Sequence, residues 1–387
     1  MKPANSVLSG LGTTVFEVMS RLAIEHGSIN LGQGFPDEDG PEDVRRAAAD
    51  AVVAGPNQYP PMMGVPELRQ AIAGHSRRFY GLDVDWRSET MVTSGATEAL
   101  ACCLFGLLEP GDEAVLIEPL YDSYLPIVRR AGATPRLVRL EPPDWRLDRD
   151  ALAAAFSDRT KLVLLNSPMN PASKVFDAGE LAAIAELVQA HDAYAVCDEV
   201  YEHLLFDARP HVPLMTLPGM RERCLRIGSA GKIFSLTGWK VGWVVAAPET
   251  LATVAKAHQY LTFTTPPNLQ RAVAQGLAKD DGYFTGLAGA MEHSRDRLQA
   301  GLERLGFGVL EAEATYFISA DFRPLGFDGD DVEFCRHITV EAGVTAVPLS
   351  AFDDTGDVRH FARFAFCKRD AVLDEAIERL ARCFRRG

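Results

Sequence analysis

The chain has 387 residues, 47% of them hydrophobic and 24% charged, with a formal net charge of −14. That length exceeds what one core organises and predicts about two domains of an ordinary soluble globular protein. The acidic balance argues against nucleic acid or an anionic membrane as the main partner, yet it leaves room for a local cluster of cations around a small anion.

The first residues, MKPANSVLSG, lack the apolar core of a signal peptide. The longest apolar run, Ala99 to Leu108, is about half of what a membrane span needs. Seven cysteines include the adjacent Cys102 and Cys103, and no C-x-x-C pair occurs. This pattern predicts buried thiols in a reducing cytoplasm rather than disulfides or zinc.

Along the chain, helical patterns alternate with apolar strand-like runs. A helix is predicted over Val65–Tyr80, a strand over Thr90–Thr93, then a helix over Ala96–Leu108. Strands follow at Glu113–Glu118, Pro135–Leu140, Lys161–Asn166, Tyr194–Asp198, Cys224–Ser229 and Val241–Ala247, with helices at Ser123–Ala131 and Ala178–Ala190 among them. Most of these strands are continuous β-branched and leucine runs, as in strands buried on both faces, and the alternation implies a doubly wound parallel or mixed sheet. After Pro266–Pro267 the character changes. A long helical pattern runs from Leu269 to Leu305, interrupted near Gly282 and Gly286, and short mixed elements continue to Gly387. We expect an N-terminal arm over residues 1–40, a large domain over 41–275 and a smaller α+β domain over 276–387, with the arm joining the latter. There is no repeat, low-complexity tract or flexible linker.

Open α/β sheets bind ligands outside the carboxyl ends of their strands. The residues just past four predicted strands are Ser94–Glu98, Ser167–Pro171, Asp198–Tyr201 and Ser229–Lys232. Their convergence would bring an Asn, an Asp, a Tyr, a Ser and a Lys to one edge. Lys232 stands out, because it sits among small and hydroxylated residues with Lys240 eight positions on. Burial or a neighbouring cation lowers a lysine pKa far enough for the amine to act as a nucleophile. The plain alternative is a loop between core strands with two surface lysines.

The stretches NLGQGFPDEDGP, NQYPP, VTSGATEAL, NSPMNP, DEVYEHLLF, SAGKIFSLTGWKVGW and RFAFCKRD follow one another in an order that resembles the class I/II pyridoxal-phosphate-dependent aminotransferases of fold type I. The resemblance covers nearly the whole chain. It is nearest the branch of kynurenine, glutamine and methionine aminotransferases and N-succinyldiaminopimelate aminotransferases, where GWK commonly replaces GWR. It implies an α/β large domain with a mostly parallel seven-stranded sheet, a smaller α+β domain, and a homodimer with shared active sites. It also implies pyridoxal 5′-phosphate as cofactor, an L-amino acid as donor and a 2-oxo acid, 2-oxoglutarate foremost, as acceptor.

Residue by residue, the resemblance makes Lys232 the Schiff-base lysine and the base that shuttles a proton on the substrate. Asp198 would pair with the pyridine nitrogen, a partnership that makes the ring an electron sink. Tyr201 and Asn170 would bond the cofactor's phenolate oxygen, and Tyr121 would stack on its ring. Gly95, Ala96 and Thr97 open a helix, whose N–H groups and dipole suit a phosphate, with Ser229 and Lys240 adding a hydroxyl and a cation. Tyr59 resembles the tyrosine that reaches this phosphate from the neighbouring subunit; locally it reads equally as a turn aromatic in a proline-rich loop. Arg363 would hold the substrate α-carboxylate through two parallel hydrogen bonds, or be a surface arginine of a strand. Gly34 would permit close approach to a ligand, and Phe16 would be either a lid over the substrate or a core aromatic.

Two other patterns are set aside. The group Asp198, Glu199, Glu202 and His203 has no standard metal-ligand spacing, so no metal is expected and the remaining acids are assigned to surface charge. The GQG at Gly32–Gly34 has Asp37 where a dinucleotide fingerprint has its third glycine. The usual Asn-Pro-Thr-Gly is here Asn170–Pro171–Ala172–Ser173, which leaves that loop's conformation open. Two alternative functions share the cofactor residues: β-elimination on sulfur-substituted cysteines, and a cofactor-sensing regulatory module. The second lacks a DNA-binding extension or basic flank.

Overall fold

A computed structural model of the chain describes residues 2–384. Its largest sheet has seven strands in the spatial order Thr90–Thr93, Gly242–Val245, Cys224–Ser229, Tyr194–Asp198, Thr160–Asn166, Glu113–Glu118 and Thr134–Arg139. All pair in parallel except Gly242–Val245, which runs antiparallel to both neighbours. Every position of Glu113–Glu118 and Cys224–Ser229 is buried. Because successive side chains point to opposite faces, Val115, Ile117, Val163 and Leu165 enter one core while Ala114, Leu116, Leu162 and Leu164 enter another. Covered faces on both sides account for the unbroken apolar runs. The edge strand Thr134–Arg139 is less buried, and it sits one residue earlier than its sequence pattern suggests.

The second layer is a four-stranded antiparallel sheet ordered Val347–Pro348, Phe361–Ala365, Phe317–Asp321 and Gly308–Val309. Its core includes Phe307, Phe322, Phe334 and Phe364, packed with Leu298 and Leu302 of the helix Asp281–Leu305. Near the N-terminus, Ile29–Asn30 pairs in parallel with Val344–Thr345 as a separate two-stranded sheet.

The helical pattern from Leu269 to Leu305 breaks earlier than the glycines predicted. Two helices, Pro267–Leu277 and Asp281–Leu305, flank a break at residues 278–280. Asp280 starts the second by accepting the Tyr283 N–H at 3.1 Å, an N-cap bond that outweighs the weak helix preference of the glycines behind it. Gly282 and Gly286 lie inside that helix.

Candidate active site

Register brings the functional strand ends together. In the large sheet Asn166 pairs in parallel with Asp198, so the residues after them emerge side by side. Ser229 pairs with Gly242 of the antiparallel strand, so the residues after Ser229 and those before Gly242 reach the same edge. They face a pocket of about 250 Å³. Every predicted site residue except Tyr59 lines it: Lys232, Asp198, Tyr201, Gly95, Ala96, Thr97, Tyr121, Asn170, Ser229, Lys240, Phe16, Gly34 and Arg363.

Lys232 belongs to the short helix Ala230–Ile233, directly after its strand. The Tyr316 hydroxyl donates to the Lys232 carbonyl at 3.0 Å, fixing the backbone beneath the amine. The amine Nζ lies 5.3 Å from the Tyr201 ring centre and 5.4 Å from that of Tyr316, and 3.5 Å from the Gly34 carbonyl. Burial of this amine pushes its pKa down to about 8; Cys367 and Asp198 oppose the shift, while Arg363 and Lys240 reinforce it.

Asp198 is 4% exposed. Burial pushes its carboxyl up to about 6, against the pull of Tyr124, the Val200 N–H and Lys232. The Tyr124 hydroxyl donates to Asp198 Oδ2 at 2.7 Å. Asn166 donates to the Asp198 carbonyl at 2.9 Å and accepts the Asn170 N–H at 2.8 Å, linking two strand ends. Sequence reasoning missed both Tyr124 and Asn166. The one available signal was the second tyrosine of EPLYDSY, three residues after Tyr121.

The assignment of Glu199 and Glu202 to surface charge is corrected. Both are buried and both accept hydrogen bonds from Arg226, which is itself fully buried. A guanidinium on a central strand requires carboxylates beside it, and this pair pins the turn that presents Asp198 and Tyr201. His211 adds a 3.0 Å contact to Glu199, and His203 hydrogen-bonds His75 at 2.7 Å.

Arg363 comes from the middle of the four-stranded sheet, opposite Ser319 and Val347, and spans the gap to the large one. It is 1% exposed. Its Nη1 donates to Asn170 Oδ1 at 2.8 Å and its Nη2 to the Gly32 carbonyl at 2.9 Å. Rings of Phe317, Phe352 and Phe16 surround the guanidinium at 3.8, 4.7 and 5.3 Å. Phe16 thus packs against the arginine and Phe352. A Cβ added to Gly34 would come within 2.3 Å of the Phe317 ring, so that glycine admits Phe317, a pocket residue the sequence did not flag.

At the opposite end, Gly95 opens the helix Gly95–Leu107 with φ +79°, and Lys240 adopts a left-handed φ of +53°. A Cβ on Gly95 would sit 3.6 Å from Lys240 Nζ, and one on Gly242 would press to 2.7 Å from the Gly95 carbonyl carbon. Glycines therefore let the strand and the helix start touch, with the Lys240 side chain beside Gly95.

Ser173 takes the place of the customary glycine and adopts φ +56°. Its hydroxyl bonds Phe317 O at 2.5 Å and Thr315 Oγ1 at 2.9 Å, offsetting the cost of a left-handed serine. Ser173→Ala keeps the strained backbone and loses these bonds. It is expected to destabilise the protein by about 1–3 kcal/mol, measured by denaturant unfolding; an unchanged midpoint contradicts this account.

Tyr59 lies outside its own chain's pocket, 84% exposed, with its ring edge-on to Phe263 at 5.6 Å.

Residues 27–380 match the family model described as aminotransferase class I and II. The chain is 49% identical to a probable N-succinyldiaminopimelate aminotransferase, DapC, of Mycobacterium tuberculosis over 97% of both chains. It is 40% identical to the methionine aminotransferase of Escherichia coli, again over 97% of each. The solved structure of the M. tuberculosis N-succinyldiaminopimelate aminotransferase superposes with a TM-score of 0.96, covering 98% of this chain and 100% of that one. A Thermus thermophilus aspartate aminotransferase mutant reaches 0.91 at 30% identity, covering 99% of this chain and 100% of that one. With its mostly parallel seven-stranded sheet and its pocket at the strand ends, this chain belongs to the class I and II aminotransferases, of fold type I.

Proposed function

We propose that this chain holds pyridoxal 5′-phosphate at Lys232 and transfers the amino group of an L-amino acid to a 2-oxo acid, with 2-oxoglutarate as the acceptor. The observation that carries the reading is the Lys232 amine, its pKa lowered to about 8, in one pocket with the buried Asp198 and Arg363. The donor set fits the cofactor. Lys240 and the first N–H groups of the Gly95 helix, which lack partners within the helix, suit a phosphate. Asp198 suits a protonated ring nitrogen, and Tyr201 and Asn170 suit an oxygen anion.

When bound, the cofactor supplies an aldehyde carbon and an electron-withdrawing ring. The protein's side chains supply the rest. Asp198 holds a proton on the ring nitrogen, and Tyr124 holds Asp198 in place. Arg363 binds the substrate α-carboxylate and so aims the α-carbon at Lys232, whose Nζ takes up and returns the proton there. The exposed Tyr59, with Tyr260, Leu261 and Phe263 also exposed, supports a homodimer in which this tyrosine completes the partner's phosphate site. Six buried thiols, Cys102, Cys103, Cys197, Cys224, Cys335 and Cys367, suit a reducing cytoplasm. Among the described residues no helix is long and apolar enough to cross a membrane.

The names of the relatives support a donor of kynurenine or methionine type, or N-succinyl-diaminopimelate. The solved aromatic aminotransferase of Pyrococcus horikoshii supports an aromatic one; glutamine rests on the sequence resemblance alone. Borohydride reduction of the protein mixed with pyridoxal phosphate should fix the cofactor mass on the peptide holding Lys232, and a donor panel against 2-oxoglutarate should then rank substrates. A label on another lysine, or steady release of pyruvate and ammonia without any acceptor, overturns the proposal.

A further inference from the structure

Glu98 lies in the first turn of the Gly95 helix, and its carboxylate turns back toward the helix start. Its Oε2 accepts the N–H of Ser94, while Oε1 accepts from Thr262 Oγ1 and from His258 Nδ1, the latter at 2.7 Å. Three donors mark Glu98 as ionised. Burial alone would raise its carboxyl, but the bonds from His258, Thr262 and Ser94 outweigh that and hold it below the usual range.

The other ring nitrogen of His258 lies 3.0 Å from the Met62 carbonyl, and the side chain is fully buried. His258 thus bridges the Glu98 carboxylate and the Met62 carbonyl through its two ring nitrogens. Ser94 is held a second time through its hydroxyl, 2.8 Å from Thr265 Oγ1. A buried carboxylate is costly unless hydrogen-bond donors surround it. This one is bonded to the residue immediately before the phosphate seat.

We propose that Glu98 and His258 are positioning residues for the phosphate: they fix the Ser94 backbone so that the N–H groups of Gly95, Ala96 and Thr97 converge on one anion, without touching it themselves. The inference rests on the cofactor reading above and deepens it.

The test compares two aldehydes on apoprotein, pyridoxal 5′-phosphate and pyridoxal, which lacks the phosphate. Glu98→Ala is expected to raise the dissociation constant for pyridoxal phosphate roughly 10- to 100-fold. The constant for pyridoxal should stay within about twofold. Glu98→Gln, which keeps an acceptor for the Ser94 N–H, should recover most of the loss. Thr262→Val, at an exposed position, removes one donor and should shift the phosphate-dependent constant about threefold in the same direction, which keeps the test open if Glu98→Ala does not fold. Equal losses for both aldehydes, or no loss for pyridoxal phosphate in either Glu98→Ala or Thr262→Val, overturn the inference. A wild-type protein that binds neither aldehyde overturns the cofactor reading beneath it.

Discussion

Lys232→Ala is expected to lower transamination by roughly 10⁴-fold, the upper range for losing a positioned proton-transfer group, and to remove the visible absorbance of the lysine-bound cofactor. With the Lys232 pKa near 8, about one amine in ten is neutral at pH 7, against roughly one in 2,500 for an ordinary lysine. Capture of an aldehyde by the apoprotein should therefore quicken as pH rises and level off above about 8. The stability consequence has a definite sign. The folded-state pKa lies below the unfolded value, so between these two pKa values the unfolded chain binds more protons and stability rises with pH. Below about pH 8 the native state carries the full penalty of a buried ammonium. Lys232→Ala removes that penalty, so the apoprotein should be no less stable than wild type in denaturant titrations at pH 7. Inactive but stably folded protein is the expected outcome. A variant that retains more than about a hundredth of the wild-type rate contradicts the role given to Lys232.

The sequence made some parts of this molecule legible for physical reasons that the others lack. Strands such as Glu113–Glu118 and Cys224–Ser229 are covered on both faces, so their residues are mostly apolar, and a charge such as Arg226 is admitted only where carboxylates meet it. The helix break at Asp280 was misplaced because a glycine is visible to propensity reasoning, whereas a cap bond depends on which way one carboxylate points. In the site, Lys232, Asp198, Asn170 and Arg363 are legible from motifs that follow one another in order along the chain; the first three stand at or just past strand ends, whereas Arg363 lies within a strand.

What remained hidden depends on partners distant in the chain. Glu199 and Glu202 look like surface acids until Arg226, more than twenty residues away, is folded against them. Tyr124, the first residue of the helix Tyr124–Arg130, is one of two nearby tyrosines, and only the packing decides which reaches Asp198. Gly34 was identified as permissive for a ligand, yet the ring it admits belongs to Phe317, nearly three hundred residues on. Tyr59 is the opposite case: its exposure is uninformative within one chain and acquires meaning only if a second copy covers it.

Arg363→Lys is expected to lower kcat/KM for the amino donor roughly 100-fold while leaving the dissociation constant for pyridoxal phosphate within about twofold. The guanidinium lies among three aromatic rings with Nη1 on Asn170 and Nη2 on Gly32. Its Nε is buried without a protein partner, a donor left for the incoming carboxylate. A lysine ammonium has no plane to lie between rings and no fork for a carboxylate. Burial adds a second handicap. It already pushes the Arg363 guanidinium down to about 10, even with Tyr201, Cys367 and Asp122 pulling the other way. An ammonium in that place starts from a lower value and is pushed down as well, so the variant loses its charge as pH rises. Wild-type KM for the donor should be flat with pH through the slightly alkaline range, and the variant's should climb. Equal pH profiles with a loss below about threefold would show that the carboxylate is held elsewhere in the pocket, since no other feature of Arg363 makes the donor's affinity depend on the charge at this position.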